Sequence, residues 1–207
     1  MISPIPEKRK NIPDIYNEII IRFQQPFSLV FRVYNDGVGY RFLSHIKDSI
    51  TVQNEIAEFN FPSIHPIYFP EVVKRENADI YHTSFEEPYQ LKPLDSLTEK
   101  NLCFSPVLIA SADGPKIVIT ESDLEDYPGM FITGTGSNSL IGHFAPYPLE
   151  EKTAEGEFPQ SIVIKRAAYI ARTKGERSFP WRVIIIAEKD KELPGNDIVY
   201  RLASHQG

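Results

Sequence analysis

Short hydrophobic runs separated by turn-forming residues dominate this chain, and they predict strands. The runs are rich in Ile, Val, Phe and Tyr, which suit the half-buried surface of a pleated sheet. In 27–34 (FSLVFRVY) hydrophobic and polar positions alternate with the period of a strand, so one face should belong to the core and the other should be partly wet. The predicted strands are 17–24, 27–34, 38–43, 49–57, 66–69, 106–111, 116–121, 129–133, 161–171, 182–187 and 197–202.

Several connections between these runs carry turn chemistry. Asn35, Asp36 and Gly37 separate two strand-like runs, and an Asn/Asp-Gly pair supplies the positive φ that a tight hairpin needs. The segments 112–116 (ADGPK) and 193–197 (LPGND) repeat this pattern. Seventeen prolines are spread along the chain, and proline inside a helix breaks its hydrogen bonding, so long helices are disfavoured.

Two segments favour a helix in part. Residues 165–175 contain helix-favouring alanines, yet they continue directly from a β-branched run, and we favour a strand. Ser122 and Glu125 resemble a capping box, but Pro128 allows at most one helical turn there. The pattern as a whole predicts an all-β fold, a sandwich or a barrel-like body, forming one domain over 1–207.

Composition narrows the classes of function. A net charge of −6 provides no basic surface for a phosphate backbone, so nucleic acid is not an expected partner. No stretch has the 18 to 20 apolar residues, roughly, of a membrane helix, and the N-terminus lacks the apolar core of a signal peptide. Cys103 is the single cysteine, which excludes an internal disulfide, and we expect it to be a small buried hydrophobic residue.

Common catalytic and ligand motifs are absent from the sequence. Five scattered histidines show no metal-binding spacing, and each is expected to be an isolated surface or hydrogen-bonded residue. The segment 133–139 (TGTGSNS) lacks the lysine of a phosphate loop and is predicted to be a mobile hairpin tip. No G-x-S-x-G nucleophile motif occurs. The five histidines are His45, His65, His82, His143 and His205.

Trp181 precedes an apolar run, so a core position is favoured over sugar stacking.

Carboxylates cluster in two places. The segment 121–126 contains Glu121, Asp123, Glu125 and Asp126, but it does not fit a calcium-loop motif and is interpreted as a solvated turn. The segment 84–91 (SFEEPYQL) places two adjacent glutamates between aromatic residues that can partly bury one of them. Local chemistry alone favours an ordinary acidic loop here as well.

Four segments, taken in order, resemble the N-terminal β-sandwich domain of glycoside hydrolase family 97, which contains bacterial α-glucosidases and α-galactosidases. They are RVYNDGVGYRF (32–42), SFEEPY (84–89), ITESDLEDYPGMF (119–131) and FPWRVIII (179–186). The resemblance implies a large antiparallel two-sheet sandwich, or supersandwich, of the galactose mutarotase type. In the family this domain is followed by a catalytic (β/α)₈ barrel, so we expect the chain to be a fragment of a periplasmic or secreted enzyme.

The same resemblance implies a calcium-dependent α-glycosidase acting on α-linked oligosaccharides. The two catalytic carboxyl groups of the family lie in the barrel, so none is expected in this chain. The family's sandwich domain contributes one glutamate to a calcium site completed by the barrel, and Glu86 matches that position, with Tyr89 as the motif's tyrosine. Glu87 falls where the family pattern does not demand an acid.

Two functions therefore stay open at this stage. The first is a non-catalytic accessory domain that supplies Glu86 to the active site, with no glycosidase activity and no tight calcium binding by the chain alone. The second is an autonomous carbohydrate-binding or adhesion module, for which Tyr68, Tyr81 and Tyr147 would be candidate surface aromatics. Glucose or galactose specificity and an inverting or retaining mechanism would be decided in the barrel.

Overall fold

A computed structural model describes residues 9–76, 78–153 and 161–204; His205 lies outside them. Its strands are β1 (Asn17–Arg22), β2 (Phe27–Tyr34), β3 (Gly37–His45), β4 (Ile50–Val52), β5 (Glu58–Asn60), β6 (Pro66–Phe69), β7 (Gln90–Pro93), β8 (Leu102–Phe104), β9 (Val107–Ala110), β10 (Lys116–Ser122), β11 (Met130–Gly134), β12 (Ser139–Phe144), β13 (Pro148–Thr153), β14 (Ser161–Arg166), β15 (Ala171–Thr173), β16 (Glu176–Ser178) and β17 (Trp181–Ala187). The helical segments are two short 3₁₀ turns, Leu94–Ser96 and Asp190–Glu192, and α1 (Ile198–Leu202).

The all-β sandwich class predicted from the sequence is confirmed, since the strands form antiparallel sheets. Most predicted strands are present within a residue or two of their expected bounds. The predicted strand 161–171 is divided into β14 and β15, and no helix forms at 165–175. The predicted strand 49–57 is wrong beyond its first residues, because only β4 forms there, and β5 begins at Glu58.

The described residues divide into two compact units, and each is considered by itself. The first contains the described residues up to Ser49, then Pro106–Tyr127, and the described residues from Lys174 onward. Its sheet has the strand order β1-β2-β3-β17-β10-β9, and β16 also pairs with β3. The second contains Ile50–Ser105 and Pro128–Thr173. Whether the chain is a single domain stays a prediction.

The core of the first unit lies on the face of β2 that carries Ser28, Val30 and Tyr34. The opposite face consists of Phe27, Leu29, Phe31 and Val33 and is partly exposed, although its residues are more hydrophobic than those of the buried face. The buried face packs with residues from β17 and α1. The buried cluster consists of Val30, Tyr34, Trp181, Val183, Ile185, Ile198 and Leu202.

The predicted strand at 197–202 is wrong, because this segment is the helix α1. Ile198 and Leu202 are four residues apart, so a helix places them on one face, and both are buried against the core cluster. The β-branched Ile198 and Val199 favour a strand locally, but tertiary burial of this short apolar face overrides local preference. Gly39 on β3 permits the close approach, since a Cβ there would lie 2.5 Å from the Leu202 side chain.

The second unit contains the four-stranded sheet β5-β12-β11-β8 and the paired strands β6–β7, β13–β14 and β4–β15. Ile132 on β11 and Leu140 on β12 are fully buried, and so is Cys103 on β8, as expected from the sequence. The glycine-bearing segment 133–139 joins β11 to β12, which confirms the hairpin, and Gly136 there has a φ of +74°.

The Asn-Asp-Gly hairpin is also confirmed, with a detail that differs from expectation. Tyr34 pairs with Gly37 across the turn, so the two-residue loop is Asn35 and Asp36. Positive φ occurs at Gly37, at +153°, and neither loop residue adopts it. A Cβ at Gly37 would lie 2.3 Å from the carbonyl oxygen of Ile184, so close approach of β17 also requires glycine here. The segment 112–116 joins the antiparallel strands β9 and β10, as predicted.

Within the described residues, no helix has the length and apolar character that crossing a membrane requires.

Replacing Ile132 by Ala should lower the free energy of unfolding by about 2–5 kcal/mol, because truncating a fully buried side chain would leave a cavity in the core. Ile141 on the neighbouring strand is 37% exposed and serves as the matched control; its replacement by Ala should cost about 1 kcal/mol or less. Urea denaturation followed by tryptophan fluorescence and circular dichroism measures both. Equal losses would contradict the assigned core.

Candidate functional site

The segment 84–89 is an irregular loop that leads into β7 and rests on aromatic side chains. The Phe85 ring centroid lies 5.4 Å from that of Phe104 on β8 and 5.7 Å from that of Phe131 on β11. Tyr89 meets Phe104 edge-on at 6.3 Å. Such tilted and edge-on contacts add to the burial of the rings. The sheet of the second unit therefore fixes both ends of the loop, with the two glutamates between them.

The backbone at Phe85 is strained. Its φ is +51°, in the left-handed region that is uncommon for bulky residues and costs roughly 1 kcal/mol or more. The amide of Phe85 donates to Thr83 Oγ1 at 3.2 Å, and the ring contacts hold the residue in place. The backbone directly before Glu86 is therefore held by the ring and amide contacts of Phe85.

The adjacent glutamates have different environments. Arg75 Nη2 donates to Glu87 Oε1 at 3.1 Å, and the Glu87 side chain is only 9% exposed. Glu87 Oε2 is buried without a hydrogen-bond partner among the described residues. Glu86 is exposed, and in the described parts of the chain no hydrogen bond or ion pair engages its carboxylate. Glu87 is thus committed to a structural ion pair, whereas Glu86 is available to a ligand.

A metal site needs more donors than this loop provides. Calcium takes six to eight oxygen ligands, so one carboxylate holds it weakly. Within 9–76, 78–153 and 161–204, no group of three or more His, Cys, Asp or Glu side chains is arranged to bind a metal ion. The available Glu86 fits the role of a single ligand to calcium, provided that the other ligands come from elsewhere.

The acidic segment 121–126 is more than a solvated turn. Arg182 Nη1 lies 2.7 Å from Glu121 Oε2, and the Arg182 side chain is 1% exposed. Asp123 accepts from Arg41 at 3.2 Å and from the backbone amide of Ser204 at 2.8 Å. Only 124–126 are exposed. The carboxylates of Glu121 and Asp123 are therefore both paired with arginines.

Arg41 links this segment to the core tryptophan. Its guanidinium carbon lies 4.3 Å from the Trp181 ring centroid, and that of Arg32 lies 5.1 Å away. Burial lowers the pKa of Arg41 below its ordinary value, while the Asp123 carboxylate opposes that change. Trp181 is fully buried, which confirms the predicted core position and leaves no exposed ring for stacking on a sugar.

A cavity of about 290 Å³ lies beside the acidic segment. It is lined by Asp123, Glu125, Asp126, Lys174, Arg177, Ser178 and Ser204. Arg177 donates to the backbone carbonyls of Glu125 at 2.9 Å and Asp126 at 3.3 Å, so its guanidinium is already engaged. The cavity is therefore lined by side chains of both charge signs.

A polar cluster around Tyr81 was not anticipated from the sequence. Tyr81 Oη lies 2.6 Å from His143 Nε2, and the Tyr81 ring meets Phe131 edge-on at 5.4 Å. Arg166 pairs with Asp79 and lies 5.0 Å from the Tyr81 ring centroid. No motif signals this cluster, because Asp79 and Arg166 lie far apart in the chain. Tyr81 is consequently half-buried and internally bonded.

The other described histidines agree with the sequence interpretation. His45 is exposed and bonded to Ser28 Oγ at 2.9 Å, and His65 lies 3.1 Å from Ser63 Oγ. His82 is exposed. The described histidines are thus hydrogen-bonded or on the surface, as expected.

Replacing Arg75 by Met should destabilise the second unit by about 1–2 kcal/mol, since the buried Glu87 carboxylate would lose its partner. Replacing Glu86 by Gln should change stability by no more than about 0.5 kcal/mol, because that side chain is exposed. Urea denaturation measures both. If Glu87→Gln restored none of the stability lost in Arg75→Met, the ion pair would not be the cause.

Burial lowers the pKa of His143, and the neutral imidazole can accept a hydrogen bond from the Tyr81 hydroxyl. The unfolded chain then binds a proton more readily than the folded one. Stability should be full above the ordinary histidine pKa of about 6.5 and should fall as the pH drops through it toward the lowered folded value. Denaturation at pH 7.5 and pH 5.5, roughly, tests this, with His143→Gln as the control. An identical loss in the variant would contradict it.

Comparison with known proteins places these features in a family. A sequence profile described as Glycosyl-hydrolase 97 N-terminal matches residues 1–204. A retaining alpha-galactosidase from Bacteroides thetaiotaomicron is 35% identical over 195 residues, which cover 91% of this chain and 29% of that protein.

Solved structures agree at the level of the fold. A glycoside hydrolase family 97 enzyme from Pseudoalteromonas sp. strain K8, in complex with acarbose, matches with a TM-score of 0.64 and 20% identity over 92% of this chain and 27% of that one. A beta-arabinopyranosidase matches with a TM-score of 0.63 and 20% identity. The match covers 87% of this chain and 29% of the arabinopyranosidase chain. The chain thus spans under a third of the length of these relatives. It belongs to glycoside hydrolase family 97 and corresponds to the family's N-terminal domain.

Proposed function

We propose that this chain acts as the non-catalytic N-terminal domain of a calcium-dependent α-glycosidase, and that Glu86 is its contribution to the active site. Family membership supports the glycosidase role, since the similar Bacteroides protein is a retaining alpha-galactosidase. The observation that carries the role of Glu86 is the contrast within the loop. The Glu87 side chain is 9% exposed and pairs with Arg75, whereas Glu86 is exposed and has no partner among the residues that the structure describes.

Glu86 would bind calcium as one carboxylate ligand, and further carboxylates from a catalytic domain would complete the site. When bound, calcium would supply Lewis-acid or orienting chemistry to the glycosidic bond. Other residues of this chain would position the loop that carries Glu86. Phe85 and Tyr89 anchor the loop on the sheet, and the Arg75–Glu87 pair restrains the residue that follows Glu86.

The substrate would be an α-linked oligosaccharide bound mainly by the catalytic domain. The two carboxyl groups that cleave a glycosidic bond must flank it at a defined separation. In the Glu86 loop Glu87 is paired with Arg75, and in the segment 121–126 Glu121 and Asp123 are paired with Arg182 and Arg41, so these three carboxylates serve structural ion pairs. The periplasmic or secreted location implied by the family resemblance stays a prediction.

A chimaera tests the role of Glu86. This chain replaces the corresponding N-terminal region of the Bacteroides alpha-galactosidase, and hydrolysis of an α-galactoside is measured against calcium concentration. The chimaera should be active, and Glu86→Gln should raise the calcium concentration for half-maximal activity by roughly tenfold or more, since a charged ligand is lost.

Glu87→Gln is the matched control, because it removes an adjacent carboxylate that is engaged by Arg75. Its calcium dependence should equal that of the parent chimaera. Unchanged calcium dependence in Glu86→Gln would remove this residue from the site. A larger effect of Glu87→Gln would transfer the role to the neighbouring glutamate.

Titration of the isolated chain separates the accessory role from that of an autonomous carbohydrate-binding module. Calorimetry with calcium and with galactose-containing and glucose-containing oligosaccharides should show no tight binding. Of the candidate surface aromatics, Tyr81 is half-buried and bonded to His143, and Tyr147 stacks on Tyr169 at 5.6 Å. Oligosaccharide binding that is lost in Tyr147→Ala would support the binding module instead.

A further inference from the structure

The strand β1 forms an open edge of the first unit's sheet. Among the described residues, β2 is its only strand partner. All six residues of β1 are exposed, including the consecutive Ile19, Ile20 and Ile21 at 60%, 42% and 43%. Sheet edges in native proteins are usually protected by charges, proline or bulges. Here the pairing with β2 is regular over the whole strand, with no bulge and no proline.

Another exposed strand, β13, does show such protection. β13 carries Pro148, Glu150, Glu151 and Lys152, and its pairing with β14 contains register shifts. β1 keeps its charges at its two ends, Glu18 and Arg22, and leaves the isoleucines between them. A regularly paired edge with a run of exposed isoleucines is a template for another strand.

Hydrogen bonding defines which residues of β1 are free to pair outward. The amide of Phe23 donates to the carbonyl of Phe27 at 3.2 Å, and this pair continues the register in which Ile21 faces Leu29. In an antiparallel ladder, alternate residues direct their backbone groups to the same neighbour. The odd-numbered residues of β1 therefore bond to β2. Glu18, Ile20 and Arg22 direct their amide and carbonyl groups away from the sheet.

We propose that β1 pairs with β1 of a second copy of this chain, antiparallel about a two-fold axis at Ile20. This register places Ile20 opposite Ile20, and Glu18 opposite Arg22 of the second copy in two equivalent pairs. All of these are residues whose backbone groups point outward. Side chains directly opposite each other in antiparallel strands interact, and opposite charges there stabilise the pairing.

Charge complementarity selects this register over its neighbours. If the second strand slides by two residues, Glu18 or Arg22 lies opposite Ile20 of the other copy. If it slides by four, Glu18 faces Glu18 or Arg22 faces Arg22, and like charges directly opposite are destabilising. Glu18 already accepts from Arg32 Nε at 2.8 Å through Oε2. Its second carboxylate oxygen can accept from Arg22 of the other copy. The dimer would join two sheets into one, and it is independent of the proposed glycosidase role.

Hydrogen exchange on the unmodified chain tests the pairing directly. In dilute solution the amides of Glu18, Ile20 and Arg22 should exchange rapidly, while those of Ile19 and Ile21 are protected by β2. At high protein concentration the even-numbered amides should become protected, and sedimentation velocity should show a dimer. Protection of the even-numbered amides at every dilution would overturn the proposal, because the chain's own residues would then cover the edge. A monomer at all concentrations would also overturn it.

Two charge variants test the register. Arg22→Glu brings Glu18 opposite a second carboxylate, and Glu18→Arg brings two arginines together, so each variant alone should self-associate roughly tenfold more weakly. An equimolar mixture should form a heterodimer, since each Glu then faces an Arg again. Ile20→Pro removes an outward amide without removing a bond to β2, and it should prevent dimerisation while the sheet stays folded. Dimerisation unaffected by all three changes would assign the interface to another surface.

Discussion

A charged group removed from water needs an opposite charge or a hydrogen-bond partner beside it, and in this chain arginine repeatedly supplies that partner. Arg182 and Arg41 hold Glu121 and Asp123 in the first unit, and Arg75 holds Glu87 in the second. These pairs determine which carboxylates remain available. An acidic segment that the sequence suggests is a solvated turn instead has two of its carboxylates paired with arginines of the sheet. Among the described residues, no arginine engages Glu86.

The same constraint explains the form of the core around Trp181. Arg41 and Arg32 both approach the indole ring, and Arg41 also reaches Asp123. Cation–π contact and ion pairing together offset the cost of burying a guanidinium. The tryptophan is thus enclosed by cations and aliphatic side chains. The segment 179–186, which resembles a family motif and contains this tryptophan, is thus a structural element of the core.

Much of the fold could be predicted from local pattern. The bounds of β2 follow from alternation, and the turns at Asn35–Gly37 and 112–116 follow from their glycines. The buried face of β2 could not be predicted, because Arg32 makes that face look polar until its contact with Trp181 is known. The helix α1 was missed for a similar reason, since its five residues become helical through burial of Ile198 and Leu202. The sequence offered no sign of the pairing between Arg75 and Glu87 or of the Tyr81 cluster, which both depend on tertiary proximity.

The conformation of Phe85 imposes two requirements that few amino acids meet together. The positive φ favours glycine or asparagine, whereas the contacts with Phe104 and Phe131 favour an aromatic ring. A single substitution that relieves the backbone strain would lose the aromatic contacts, and one that keeps an aromatic ring would keep the strain. Replacement during divergence would therefore need coordinated changes in the loop and in the sheet beneath it, so this position should drift slowly even though it is neither catalytic nor fully buried.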